Sequence, residues 1–270
     1  MYKNFTYKKI SEDDFSKQER LENWNIAKGL QLIDNAKPSE YMKSVMDELI
    51  DGKKSYKQVE HDLYNYYKEN KIMSDEVIKT KECDIVSLRI MKVLESGAFT
   101  FSPITLKSIH RQLFEGLFEN ELDRYIGNFR DYNIVKDEPI LNGDTVIYGD
   151  YTMLDELLAY DFNEEKTRNG KISVKSISRF TSAVWQIHPF VEGNTRTTAV
   201  FIIKYLRSLG YDVNNDLFKE YSLYFRNALV LSNYADIKRN IRPNFRYIEM
   251  FFEKLLEDKD IELDKMWWVF

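Results

Sequence analysis

Phe180-Thr181-Ser182-Ala183-Val184-Trp185-Gln186-Ile187-His188-Pro189-Phe190-Val191-Glu192-Gly193-Asn194-Thr195-Arg196 runs from an apolar helical segment through a short break into a second helix. Pro189 disfavours helical geometry at the residue before it, so His188 falls at a helix-to-loop junction. The next helix starts within a few residues, and its first turn offers unpaired backbone N–H groups at the positive end of the helix dipole. Gly193 lets the backbone approach a ligand closely. Together these make the ground plan of a phosphate cradle. Arg196 can add a bidentate phosphate contact. Glu192 is a hard oxygen ligand suited to a Mg²⁺ carried by a nucleotide. His188 titrates near neutrality and can take a proton from an attacking hydroxyl. Base, carboxylate, anion hole and arginine in so short a span fit attack of a hydroxyl on a phosphoryl group. Spacing alone does not separate this from a capped helix that happens to follow a histidine.

The rest of the chain is punctuated like a helical protein. It holds 10 Gly and 5 Pro in 270 residues, too few turn formers for many sandwich strands. Apolar stripes at helical spacing run through Leu21, Trp24, Ile26, Leu30 and Ile33, then Tyr41, Val45, Met46 and Leu49, then Val59, Leu63, Tyr66 and Tyr67. Further helices are predicted over Ile85 to Leu94, Thr105 to Phe118, Tyr151 to Phe162, Val174 to Ile187, Thr195 to Leu209, Leu217 to Leu231 and Arg246 to Leu256. Gly52 and Gly210 stand where a glycine would stop a helix. The exception is Asp131 to Tyr148, which alternates polar and apolar residues around Ile140-Leu141-Asn142-Gly143. Asn-Gly between β-prone runs is a strong hairpin signal, and a lone hairpin in a helical chain suits a flap lying over something. The expected fold is therefore all-α with one β-hairpin flap. A shift from charged to apolar composition near Lys68 to Glu76 divides an N-terminal helical arm, residues 1–74, from a main domain, residues 75–270.

Composition excludes several classes. Lys plus Arg is 39 and Asp plus Glu is 44, a formal net charge of −5, which argues against broad nucleic-acid binding. One cysteine, Cys83, makes neither an internal disulfide nor a multi-cysteine zinc site. No stretch suits a membrane helix, and the start does not read as a signal peptide, so a cytosolic bacterial-type protein is expected. Of the other histidines, His61 reads as solvated and His110 as structural. The terminal Lys265-Met266-Trp267-Trp268-Val269-Phe270 reads as an apolar tail packed on its own domain.

His188-Pro189-Phe190-x-Glu192-Gly193-Asn194-x-Arg196 resembles the signature of the Fic family. Leu106 to Phe118 followed by Gly127-Asn128-Phe129-Arg130 resembles the family's stretch before its flap, so the likeness covers about residues 75 to 260. Family members usually transfer AMP from ATP to a Ser, Thr or Tyr hydroxyl of a protein. The resemblance implies an all-α core plus a hairpin flap. In it, His188 is the general base, Glu192 holds Mg²⁺, and Gly193, Asn194, Thr195 and Arg196 form the phosphate-binding turn. Phe190 anchors the motif loop. Residues 134 to 148, with Ile140, Leu141, Asn142 and Gly143 at their tip, align the target chain by strand addition. The partner implied is a protein bearing a hydroxyl, self-modification included, with ATP as substrate and Mg²⁺ as cofactor.

Two positions depart from the commoner family pattern Gly-Asn-Gly-Arg-x-x-Arg. Thr195 replaces a glycine, and Ala199 replaces the second arginine, which in relatives contacts the terminal phosphates. The arm resembles the inhibitory helix of many relatives, yet Lys28 stands where their glutamate would be. Lys28 is either a solvated helix lysine or a replacement for the charge lost at Ala199. The departures keep open another nucleotide donor, phosphate transfer as in the Doc branch, or a non-catalytic binding module. Glu192 and Gly193 favour the AMP branch. Tyr221, Tyr224 and Tyr234 lie where relatives hold the adenine.

Overall fold

A computed structural model describes residues 15–69, 74–118, 121–213, 217–257 and 260–263. The tail at 265–270 lies outside the described residues. Among the described residues ten α-helices make up most of the fold: α1 Lys17–Gln31, α2 Glu40–Ile50, α3 Tyr56–Glu69, α4 Asp75–Glu95, α5 Pro103–Phe114, α6 Leu154–Lys166, α7 Val174–Ile187, α8 Asn194–Ser208, α9 Leu217–Asn233 and α10 Arg246–Glu257. Serine starts many of them. Ser16, Ser39, Ser74, Ser102 and Ser173 each accept a first-turn backbone N–H, satisfying a donor the helix leaves open. Helix α5 stops at Phe114, four residues before the predicted end, because Glu115 turns out of helical geometry at ψ 128°.

Helix α8 is the axis of the molecule. From Asn194 to Leu206 every residue of it is buried. Helices α4, α5 and α7 pack around it, and Phe101, Phe162, Phe180, Phe201 and Tyr205 interlock at one end with ring centroids 4.3–6.1 Å apart. Helix α1 lies across α4 and α9 and contributes Trp24, Ile26, Ala27 and Leu30 to the same continuous core. Two polar ties reinforce it. Ser222 Oγ donates to Gly29 O at 2.5 Å. The fully buried Asp84 carboxylate accepts from Ser39 N at 2.9 Å, Ser39 Oγ at 2.6 Å and Tyr67 Oη at 2.6 Å, joining α2, α3 and α4.

The all-α class holds, but the hairpin needs correction. Asn142 and Gly143 adopt left-handed geometry, φ 56° and 89°, and Asp144 N–H donates to Leu141 O at 3.2 Å. The tight turn is therefore present. Its strands are not: among the described residues the one bridge is an isolated pair, Asp236 with Ile241. Pro139 brings no N–H to a ladder and opens a 3₁₀ turn, Pro139–Leu141, that swings Ile140 and Leu141 into the core. No helix among the described residues is long and apolar enough to cross a membrane.

Candidate phosphate site at the start of α8

His188 closes α7 in left-handed geometry, φ 49° and ψ 57°, which is uncommon for a side chain with a Cβ. Its own N–H returns to Trp185 O at 3.1 Å, and ring Nδ1 lies 3.1 Å from the same oxygen. That contact assigns the ring proton to Nδ1 and leaves Nε2 with a free lone pair. Trp185 packs edge-on to the imidazole at 5.2 Å, and Tyr148 lies 4.3 Å from it. Burial, then the charge of Lys136, pushes the imidazole pKa down to about 3, so His188 is neutral at physiological pH.

Arg130 holds this junction together. It is buried, and its guanidinium donates to His188 O at 2.9 Å, Ile187 O at 3.2 Å, Tyr132 O at 2.7 Å and Gly149 O. Its backbone N–H reaches Pro189 O at 2.9 Å. A cation thus satisfies the orphan carbonyls at the end of α7. The Gly-x-x-Arg spacing marked Arg130, but nothing in the sequence pointed to its partners.

The motif loop is internally cross-tied. Asn194 Oδ1 accepts from Phe190 N at 2.9 Å and Nδ2 donates to Phe190 O at 2.7 Å. Its side chain therefore shapes the loop. Phe190 stacks on His110 at 3.8 Å and 3°. His110 Nδ1 accepts from Gly127 N–H at 2.9 Å and Nε2 donates to Glu192 O at 3.0 Å. Burial holds His110 down at about 4, consistent with a neutral ring serving two backbone partners. Thr195 Oγ1 accepts from Trp185 Nε1 at 2.9 Å, so the residue in place of a glycine fixes the tryptophan beside His188. Gly193 is required for a different reason from the one expected: φ is 75°, and an added Cβ would fall 2.4 Å from the ring of Phe114. The crowding comes from the core side.

Helix α8 starts without a side-chain cap, leaving its first amides for a ligand. These residues, with His188, border a cavity of about 290 Å³ whose other walls include Tyr132, Ile134, Lys136 and Asp34. Arg196 lies at its edge, 3% exposed. The guanidinium is already engaged: Nε sits 3.0 Å from Asp34 Oδ2, and Nη2 and Nη1 donate to Glu82 Oε1 at 2.8 Å and Gln31 Oε1 at 3.2 Å. Lys28 does not border the cavity. Its ammonium lies 5.2 Å over the Trp24 ring of its own helix, and the arm residue facing the cavity is Asp34.

Among the described residues no three His, Cys, Asp or Glu side chains gather to hold a metal unaided. Glu192 is half exposed, and its Oε1 accepts from Gly193 N–H at 2.8 Å. One carboxylate at a phosphate cavity fits a Mg²⁺ that arrives on a nucleotide and takes most of its ligands from phosphate and water. Ile140, Leu141, Asn142 and Gly143 do not border the cavity; Tyr132, Ile134, Val135 and Lys136 do. Tyr221, Tyr224 and Tyr234 do not border it either. Tyr224 donates to Tyr247 O at 3.1 Å and Tyr234 to Asp144 Oδ2 at 2.6 Å.

Comparison with known proteins follows the same outline. The fold is similar to that of the N-terminal Fic domain of a Bartonella effector protein from Bartonella sp. AR 15-3. That likeness has a TM-score of 0.52 at 17% identity, covering 72% of this chain and 89% of that one. A Fic family protein from Desulfovibrio desulfuricans G20 gives a TM-score of 0.56 at 15% identity, covering 93% and 67%. The N-terminal domain of Bep8 from Bartonella sp. 1-1C gives 0.50 at 18%, covering 73% and 93%. No curated protein matches the chain. Residues 100–206 match the model of the Fic/DOC family. That span holds α5 and all but the last two residues of α8, including Arg130, His188 and Arg196.

Proposed function

We propose that the chain is a protein adenylyltransferase that moves AMP from Mg-ATP to a Ser, Thr or Tyr hydroxyl of a target protein. The observation that carries this reading is a neutral histidine bordering the same cavity as an uncapped helix N-terminus. His188 Nε2 takes the hydroxyl proton, the hydroxyl oxygen bonds to the α-phosphorus, and the bond to the pyrophosphate oxygen breaks. The α8 amides hold phosphate oxygens, and Glu192 holds the metal, which supplies charge neutralisation of the polyphosphate when bound. As phosphate charge enters the cavity, it raises the basicity of His188 from its depressed value. The 134–148 segment borders the cavity through its first residues, a position from which it would align the acceptor chain.

The test is mass spectrometry of the protein incubated with Mg²⁺ and each nucleoside triphosphate plus candidate acceptor extracts, with His188→Ala alongside. An adduct of one AMP that needs both ATP and His188 is the expected result. Absence of any adduct and of ATP binding would point to a non-catalytic module. The ties of Arg196 to Asp34 and Glu82 favour one second reading, a donor other than ATP. An adduct from another nucleotide would establish it.

A further inference from the structure

Two cationic side chains border the cavity beside His188, Lys136 and Arg196, and they differ in what already meets them. Arg196 faces three carboxylates, Glu82 at 2.8 Å, Asp34 at 3.0 Å and Glu192 at 3.8 Å, as well as Gln31. Its charge is therefore spent inside the protein, and an incoming phosphate would have to compete with Asp34 for it. Ala199, which stands where relatives carry a second arginine, is completely buried and brings no charge. Lys136 makes no ion pair and no side-chain hydrogen bond among the described residues. Its charge nevertheless reaches across the cavity, since after burial it is the largest influence on the His188 imidazole.

We infer that Lys136 is the residue that binds the phosphate charge of the donor in this cavity. The inference rests on the proposed phosphoryl-transfer reading and adds a second task to the 134–148 segment, nucleotide binding beside acceptor alignment. A lysine ammonium is a strongly hydrated point charge on a flexible stem, able to follow a phosphate without a preset geometry. The α8 amides and Lys136 come from different parts of the chain, so one anion held by both pins the segment to the helix. The same anion neutralises the charge that weakens His188 as a base, so a filled donor site strengthens the proton acceptor.

Isothermal titration calorimetry on the full chain tests this, with inorganic pyrophosphate and with ATP at fixed ionic strength. The proteins are wild type, Lys136→Met and Lys136→Arg, each shown folded by its melting curve. Lys136→Met should weaken both ligands about tenfold or more, while Lys136→Arg stays within about threefold of wild type, because the requirement is for charge. Binding to Lys136→Met within about twofold of wild type would overturn the role of Lys136 and leave the phosphate site standing. A wild-type protein that binds neither ligand would sink the phosphate-site reading itself, and this inference with it.

Discussion

His188 carries two unusual properties at once, a left-handed backbone and an imidazole kept neutral far below its usual range. The second has a measurable sign. The folded protein binds the proton only near pH 3, whereas the unfolded chain binds it near 6.5. The stability tied to the neutral ring is complete above 6.5 and is lost as pH falls toward 3. Between pH 7 and pH 5 wild type should lose about 2 kcal/mol relative to His188→Asn. Urea denaturation of both proteins at the two pH values measures it, and His110 cancels because both carry it. A difference between the two that does not change with pH would refute the buried neutral state. The His188-Pro189 spacing made the junction legible in the sequence, as it did the helix start at Asn194. It did not reveal that Asn194 and Thr195 spend their polar atoms on Phe190 and Trp185, because those bonds depend on the path of the loop.

At the scale of elements, the segment around Asn142-Gly143 shows how far a local signal reaches. The dipeptide made its tight turn as its backbone preferences require. Pro139 and the burial of Ile140 and Leu141 overrode the strands, since core packing outweighs the alternation pattern. What holds the segment down is Glu138, fully buried, accepting from Arg226 at 2.5 Å and Tyr148 Oη at 3.0 Å. Neither partner is near it in sequence, so the tie was invisible there. Glu138→Gln keeps the shape and removes the charge, leaving Arg226 buried without its counterion. It should cost about 3 kcal/mol or more in chemical denaturation and speed hydrogen exchange at Gly143 and Asp144. Unchanged stability would mean that the ion pair does not anchor the segment.

At the scale of the whole molecule, helical periodicity located nine of the ten helices among the described residues to within a few residues and missed the first ten residues of α4, where the charged turns from Asp75 to Asp84 hid the stripe, but it could not say which helix lies against which. Helix α1 is the case in point. It crosses α9 so closely that a Cβ on Gly29 would fall 2.2 Å from Phe218 O and 2.4 Å from Lys219 Cα, both backbone atoms. The contact cannot be relieved by a side-chain rotation. Gly29→Ala should therefore destabilise by about 2–4 kcal/mol, read as a lower melting temperature, and should disturb the Arg196–Asp34 pair that follows α1. A melting temperature equal to wild type would show that α1 sits more loosely on α9.

The grip of Arg130 on the carbonyls of Tyr132 and Gly149, together with those of Ile187 and His188, has an engineering consequence. Both ends of the intervening stretch are clamped by one side chain to the loop that bears the histidine. The stretch is a cassette with fixed endpoints: its interior can be exchanged for one that recognises a different surface, provided Glu138 and Tyr148 are kept as its fasteners and Lys136 as its cation at the cavity.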